Sequence, residues 1–326
     1  MAILQREVLL ILHEKQIKAM KNRFYFIPFL TLLLSVLIFI YLKKIKTDIY
    51  FDLIPIELDS DYIPCTPVEI EGIVFNVIID LGFNQFLSLT ETSMEKIFNK
   101  KFVYSSQITG VRGTSYESKK YEFPEVKIGS ESFINLIVGE DPDQFSQDAI
   151  LKENAIAPIA IPDGLIGWKA FQNKNVFLDL GNSKIAFCDS FSTLKKNGYD
   201  VEAFVETPLL LDRDFVECEA AIADRTVRCF LDTGFTISSI NTFGSDVRSL
   251  DEAIRNPEMQ RCPLRISGKS FGIGNFHKLP LNLPFSVDVV LGMDFFIHHH
   301  VFIDFKKEKI YFRRNHLPKF VQQRIR

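Results

Sequence analysis

Two aspartates stand at matching places in two short, related stretches of the sequence. Asp80 lies within residues 77–84 (VIIDLGFN) and Asp232 within residues 229–236 (CFLDTGFT), each after an apolar run and two residues before a glycine. A lone buried carboxylate is costly, so each aspartate needs a partner such as a second carboxyl. If the two carboxyls meet, one can act as general base on a water while the other donates a proton to a polarised carbonyl.

This chemistry requires neither a metal nor a cofactor, and we predict none. Two carboxyls in contact cannot both ionise, so the pair would titrate as one unit. The five cysteines lack the spacing of metal ligands, and the consecutive residues His298 to His300 would alternate between the faces of a strand. The plainest alternative is that both aspartates only stabilise turns after strands.

The stretch around each aspartate belongs to a longer internal repeat. When the two aspartates are superposed, residues 70–90 fall on residues 222–242 without a gap, with Ile first and Thr last in both. Residues 164–187 match residues 289–312 in the same order, with identical spacing from an apolar-apolar-Gly to a Val-Phe-x-Asp strand. Two matching segments in one order indicate an internal duplication.

This combination of motifs resembles the retropepsin-like (clan AA) aspartic protease family, in particular its Asp-Thr-Gly-Phe branch. The resemblance covers residues 62 to 313. It implies an all-β fold with two acid-protease-like β-barrel lobes that pair within one chain, and an aspartic endopeptidase acting on polypeptides. Carried over residue by residue, it makes Asp80 and Asp232 the catalytic dyad, with an active-site loop formed by Leu81, Gly82, Thr233 and Gly234.

Leu81 departs from the family pattern, in which a Thr hydrogen-bonds across to the other loop and holds the dyad rigid. Thr233 can do this, whereas the Leu81 side chain has neither donor nor acceptor. The chain could therefore be a weaker, asymmetric enzyme, or a catalytically inactive module that holds an extended peptide by strand addition. A third possibility is a membrane-anchored structural partner whose duplication is only architectural.

The resemblance and the turn residues predict several local structures. Each copy should begin with a β-hairpin, turning near Glu71-Gly72 and near Asp224-Arg225. A short helix is predicted for Thr92 to Lys101. Gln107 to Gly113 should begin the hairpin that supplies the flap in the family, and Arg265 to Gly274 should form its counterpart in the second copy. In the two closing strands, Asp179 and Asp304 are expected to serve turns or surface hydrogen bonds.

The first fifty residues differ in character from the rest. Residues 1–23 are predicted to be an amphipathic helix, and Phe24 to Leu42 is an uncharged run long enough to span a bilayer. Lys43 and Lys44 follow without a small-residue cleavage site, so we expect an uncleaved single-pass anchor in the lipid bilayer, with the large domain extracytoplasmic. A buried core helix and a cleavable signal peptide are the alternatives, and either Met1 or Met20 could be the initiator.

Length and composition fit this organisation. A chain of 326 residues with 47% hydrophobic content can hold an anchor segment (1–50), a first lobe (51–195) and a second lobe (196–326). The net charge of −3 gives no reason to expect a nucleic-acid partner. Cys218 and Cys229 flank the second hairpin turn, where they could form a disulfide in an oxidising compartment or serve as small buried apolar residues.

Overall fold

A computed structural model describes residues 34–37, 51–58, 62–109, 114–143, 162–211, 213–242, 259–281, 283 and 287–315. The chain divides into two compact units, Met1–Tyr50 and Phe51–Arg326. Residues 34–37 are helical; the amphipathic helix predicted over 1–23 and the rest of the anchor predicted over 24–42 lie outside the described residues. Within the described ranges, no helix is long and apolar enough to cross a membrane.

The second unit is mostly β-structure. In its first part, the strands are β1 (Phe51–Ile54), β2 (Glu57–Leu58), β3 (Pro64–Ile70), β4 (Ile73–Asp80), β5 (Leu87–Thr90), β6 (Lys101–Thr109), β7 (Ser115–Ile128), β8 (Glu131–Asp141), β9 (Gly164–Gly167), β10 (Asn175–Asp179) and β11 (Lys184–Cys188). In its second part, they are β12 (Val205–Pro208), β13 (Glu217–Ile222), β14 (Arg225–Leu231), β15 (Ser239–Asn241), β16 (Met259–Ile266), β17 (Lys269–Leu279), β18 (Val289–Leu291), β19 (His299–Asp304) and β20 (Lys309–Arg314). Short helices intervene at α1 (Glu91–Met94), α2 (Ser192–Lys196) and α3 (Met293–Phe296).

These strands assemble into three sheets. An eight-stranded sheet has the order β2-β3-β4-β9-β5-β8-β7-β6, and a closed barrel has the order β13-β14-β18-β15-β17-β16. A six-stranded sheet, β1-β11-β10-β19-β20-β12, takes three strands from the first part of the unit and three from the second. The all-β part of the predicted fold class is therefore confirmed.

The repeat in the sequence is also a repeat of strand topology. In the eight-stranded sheet, β9 pairs in parallel with β4 and antiparallel with β5. In the barrel, β18 pairs in parallel with β14 and antiparallel with β15. Both central strands, β9 and β18, are buried along their whole length, as strands covered on both faces require. The end of β4 and the end of β14 thus have equivalent surroundings.

The two halves join in the six-stranded sheet, where β10 pairs antiparallel with β19. Phe177 lies opposite Phe302 at the middle of this pairing, and both side chains are fully buried. Phe191, Tyr199 and Phe204 pack around them. Each buried Phe contributes about 1.5–3 kcal/mol relative to an exposed one, so this joint is a strong constraint on the relative position of the halves.

Asp179, just beyond this central pairing, has a different environment from the one expected. Its carboxylate is 2% exposed and lies 3.2 Å from Nε2 of His300, without hydrogen-bond geometry at that nitrogen. The same carboxylate accepts hydrogen bonds from the Tyr199 hydroxyl at 3.1 Å and the Asn182 amide at 2.7 Å. Asp304 at the equivalent place is 1% exposed, and its Oδ1 accepts a hydrogen bond from the Lys307 N–H at 3.0 Å in the β19–β20 turn. The expected turn role is therefore confirmed at Asp304, whereas the alternative of surface hydrogen bonds is wrong because both carboxylates are buried.

Two predicted boundaries also shift. Ile222 lies opposite Arg225, so the second hairpin turns at Ala223-Asp224, one residue earlier than predicted. Both turn residues have positive φ, which a two-residue turn of this hand requires. The helix predicted for Thr92 to Lys101 is shorter and earlier, because α1 ends at Met94 and β6 already begins at Lys101.

The hairpin predicted over Arg265 to Gly274 has a different counterpart from the expected one. β16 pairs with β13 as β7 pairs with β3, so the β16–β17 turn corresponds to the β7–β8 turn. Ser267 Oγ in the former donates to the Glu206 carbonyl in β12, and Ser130 Oγ in the latter donates to Asp52 in β1. Both turns thus contact outer strands of the six-stranded sheet, and the prediction of a flap-like hairpin there is wrong.

All five cysteines lie in the described part of the chain, where they are buried and form no disulfide. Cys218 and Cys229 lie directly opposite one another in the β13–β14 pairing without forming a disulfide. The structure thus favours the second alternative from the sequence: Cys218 and Cys229 serve as small buried apolar residues and not as disulfide partners.

Candidate active site

Each aspartate is carried to the same kind of position by its own half. Asp80 is the last residue of β4, and Asp232 directly follows β14. The Asp232 N–H donates to the Leu291 carbonyl at 3.1 Å, and Asp80 is in register with Gly167 on β9. Each of these apolar strands is paired with a buried central strand. The polar groups of each half therefore begin where its strand ends, at the aspartate and the loop after it.

The two carboxyls face each other across the junction of the halves. They are within hydrogen-bond reach of one another. A Cβ placed on Gly82 would stand 2.6 Å from Cγ of Asp232, and one on Gly234 would stand 2.6 Å from Cγ of Asp80. Each carboxyl therefore lies against the glycine of the other loop, and only a residue without a side chain allows this approach.

Backbone amides complete the surroundings of the pair. The Gly82 N–H donates to Oδ1 of Asp80 at 2.7 Å, and the Gly234 N–H donates to Oδ1 of Asp232 at 2.9 Å. In both loops the donor lies two residues after the aspartate, so the arrangement is the same on the two sides. These amide donors stabilise the negative charge that remains when the pair holds one proton.

Burial raises the pKa of both carboxyls. Burial raises the pKa of Asp80, although hydrogen bonds from Asp232, Gly82 and Phe83 oppose this effect. Burial also raises the pKa of Asp232 well above its ordinary range, and the neighbouring charge of Asp80 raises it further. Because the two carboxyls are in contact, they titrate as one pair and share a single proton in the free site.

The loops are braced from one side. The hydroxyl of Thr233 accepts a hydrogen bond from the Leu81 N–H at 3.0 Å and donates to the Ile79 carbonyl at 2.7 Å. Leu81 and Thr233 are both fully buried. Leu81 offers no reciprocal hydroxyl, and among the described residues no acceptor is found for the Thr233 N–H. The departure seen in the sequence thus produces half of a symmetric brace.

A second pair of glycines holds the loops down on the sheets. A Cβ on Gly167 would stand 2.2 Å from the carbonyl oxygens of Phe83 and Gln85. A Cβ on Gly292 would stand 2.6 Å from the carbonyl oxygen of Phe235 and 2.8 Å from that of Ile237. The apolar-apolar-Gly motif of each copy therefore seats the loop that follows each aspartate.

A polar cluster beside the first loop was missed by sequence reasoning. Lys120 on β7 donates to Oε1 of Gln85, five residues after Asp80, and to the Ser118 hydroxyl at 2.7 Å. Ser118 in turn donates to Asp141. The only signal in the sequence is a lysine and an aspartate inside strand patterns, and it does not reveal that the two strands bring them together.

The three consecutive histidines, His298 to His300, do not come together in the structure. His298 is exposed, the His299 ring stacks on Phe295 with centroids 4.1 Å apart, and His300 faces Asp179. In the part of the chain that the structure describes, no three His, Cys, Asp or Glu side chains are grouped as a metal ion would require.

Comparison with known proteins adds no relative: no protein-family model matches the chain, and no curated protein matches it.

Proposed function

We propose that the protein is an aspartic endopeptidase built from two acid-protease-like β-barrel lobes, residues 51–195 and 196–326. One observation carries the proposal: the carboxyls of Asp80 and Asp232 come from equivalent strand ends and meet in hydrogen-bond contact, each against the glycine of the other loop. A turn-stabilising role alone does not require two acids to lie in contact, since that arrangement is costly unless they share a proton.

The proposed reaction uses the one proton that the pair shares. The ionised carboxyl takes a proton from a water molecule, which attacks the carbonyl carbon of a peptide bond, while the protonated carboxyl donates to the carbonyl oxygen. The tetrahedral intermediate then collapses with cleavage of the C–N bond: the amine leaves with the proton taken from the water, and a hydroxyl of the intermediate returns its proton to the pair. No cofactor takes part, and the substrate is a polypeptide in extended conformation.

The decisive experiment compares purified full-length protein with Asp80→Asn and Asp232→Asn on an unfolded protein substrate. Each exchange nearly preserves shape but removes an acid–base group, so we expect at least about a hundredfold loss of cleavage with unchanged folding. Asp224→Asn, at an aspartate whose side chain is 83% exposed in the β13–β14 turn, is the matched control and should cleave normally. Full activity in either dyad variant would refute the mechanism.

A second candidate is a catalytically inactive module that binds extended peptides at the same site, between the two loops. Leu81 favours it, since the half brace leaves the dyad less firmly held. A pepstatin-type inhibitor separates the two candidates. Binding together with inhibited proteolysis supports the enzyme, whereas binding by a protein that never cleaves peptides supports the module.

We also propose that residues 24–42 anchor the chain in a membrane once, with the large domain extracytoplasmic. The support is the uncharged length of this segment, followed by lysines. Membrane fractionation of the full chain tests the anchor, and protease protection of sealed vesicles tests the orientation. Recovery of the intact chain in the soluble fraction would overturn this part of the proposal.

A further inference from the structure

The loop after Asp80 carries a glutamine whose orientation is fixed from below. Lys120 Nζ lies in hydrogen-bond contact with Oε1 of Gln85. Lys120 is 4% exposed and is held in turn by the Ser118 hydroxyl, which also contacts Asp141. A side chain on Gly139 would begin 2.8 Å from Lys120 Nζ, so the strands leave space for this ammonium group and little else.

The contact with Lys120 determines which end of the Gln85 amide faces outward. An ammonium group has three donors and no acceptor, so the atom facing it must be the amide oxygen. The two N–H donors of Nε2 then point away from Lys120. Within the described part of the chain, Nε2 of Gln85 donates to no protein acceptor, and the residue is only partly buried. Gln85 therefore presents unused donors from the loop that follows Asp80.

The second half places an apolar side chain at the corresponding point. Ile237 lies five residues after Asp232, as Gln85 lies five residues after Asp80. The two loops are held alike: the Trp168 N–H donates to the Phe83 carbonyl at 3.2 Å, and the Met293 N–H donates to the Phe235 carbonyl at 2.7 Å. Gln85 and Ile237 thus occupy equivalent backbone positions in the two loops that carry the carboxyls.

We propose that Gln85 and Ile237 give the site different preferences for the substrate residues on its two sides. The residue on the Gln85 side carries a hydrogen-bond acceptor, such as the carboxylate or amide oxygen of Glu, Asp, Gln or Asn. The residue at the equivalent distance on the Ile237 side is apolar. Lys120 is a positioning residue, because it acts only by holding the Gln85 amide. This inference rests on the proposed function in assuming that an extended peptide crosses the dyad.

A randomised peptide library tests the inference with two readouts. Cleavage sites are mapped for the wild type, Gln85→Leu and Ile237→Gln, and binding of the same library is measured on Asp232→Asn, alone and combined with Gln85→Leu. One hydrogen bond to the substrate corresponds to a preference of roughly two- to tenfold, so acceptor-bearing residues should be enriched by that factor on one side only. Gln85→Leu should abolish the enrichment, mainly by raising the KM of peptides that carry an acceptor on that side.

Lys120→Met supplies a separate check on the positioning role. It should weaken the acceptor preference while Gln85 is still present, because the amide can then turn either way. Unchanged preference in Lys120→Met would overturn the positioning role, and wild-type cleavage with no acceptor enrichment would overturn the whole inference.

The outcomes also separate this inference from the proposed activity. Suppose that the Asp232→Asn protein binds library peptides enriched in acceptor-bearing residues, but the wild type cleaves none. This result would support different preferences on the Gln85 and Ile237 sides and would refute the endopeptidase. Absence of both binding and cleavage would refute both proposals.

Discussion

The backbone N–H of Leu81 donates to the hydroxyl of Thr233 at 3.0 Å, and the same hydroxyl donates to the Ile79 carbonyl. Thr233→Val removes the hydroxyl at nearly constant shape and leaves a buried N–H and a buried carbonyl unpaired, at about 1–3 kcal/mol each. We expect a lower melting temperature and slower peptide cleavage. Thr226→Val, at an exposed threonine of β14, should change neither, and a Thr233→Val protein as stable as the wild type would contradict the brace.

The reverse exchange, Leu81→Thr, asks whether a second hydroxyl would help. Leu81 is fully buried, and the change removes about two carbons, at ~0.8 kcal/mol each, and leaves a cavity. A new hydrogen bond to the Thr233 N–H would return only about 0.5–1.5 kcal/mol. The packing loss is the larger effect, so thermal unfolding should show a less stable protein. A Leu81→Thr variant that is stable and cleaves faster would instead mean that the first half is a degraded copy.

The glycines beneath the carboxyls should be intolerant of any side chain. In Gly234→Ala the new Cβ would stand 2.6 Å from Cγ of Asp80, so the Asp80 carboxyl must move. A displacement of about 1 Å in a catalytic group can cost a hundredfold in rate, and we expect a loss of this size in kcat with a cooperative unfolding transition retained. Gly82→Ala should behave alike because it meets Asp232 in the same way. Normal turnover in both variants would exclude this site from catalysis.

Asp179 should make the stability of the joint depend on pH. Burial raises the pKa of Asp179, but the interactions with His300, Asn182 and Tyr199 outweigh it and leave the pKa below its ordinary value. A carboxyl with a depressed folded-state pKa contributes stability above the unfolded pKa of about 3.9, and that stability is lost as pH falls through the folded value. Asp179→Asn should therefore lower the free energy of unfolding near neutral pH, by an amount that becomes progressively smaller below pH ~4. Thermal unfolding at several pH values measures this, and a pH-independent difference would contradict it.

The site loops were accessible from the sequence because their determinants are local. An apolar strand followed by Asp-x-Gly specifies a buried acid and a close approach, and the second copy of the pattern identified Asp80 and Asp232 as partners. The strand ends and the shared topology follow from the same repeat. The Ala223-Asp224 turn was missed by one residue because both residues adopt positive φ, which alanine gives little reason to expect.

The remaining features depend on which strands become neighbours. Lys120 reaches Gln85 only because β7 lies beside β8 and β8 beside β5, and no single segment contains that information. The sequence predicts a surface position for Asp179. The residue is instead buried, because the pairing of β10 with β19 brings it next to His300, a histidine far away in the sequence. Long-range strand pairing, rather than local propensity, buries both Lys120 and Asp179.

The β10–β19 joint has a symmetry of its own. Under the internal repeat, Val176 corresponds to Val301 and Leu178 to Ile303, so the observed pair Val176–Ile303 maps onto the observed pair Leu178–Val301. The contact is thus isologous: each half offers the other the same surface in the same antiparallel register. Two identical copies of one half could make this joint with each other, and each would bring one aspartate. The joint within this single polypeptide therefore has the two-fold geometry of a homodimer interface, although the two halves differ at Leu81 and Thr233 and at Gln85 and Ile237.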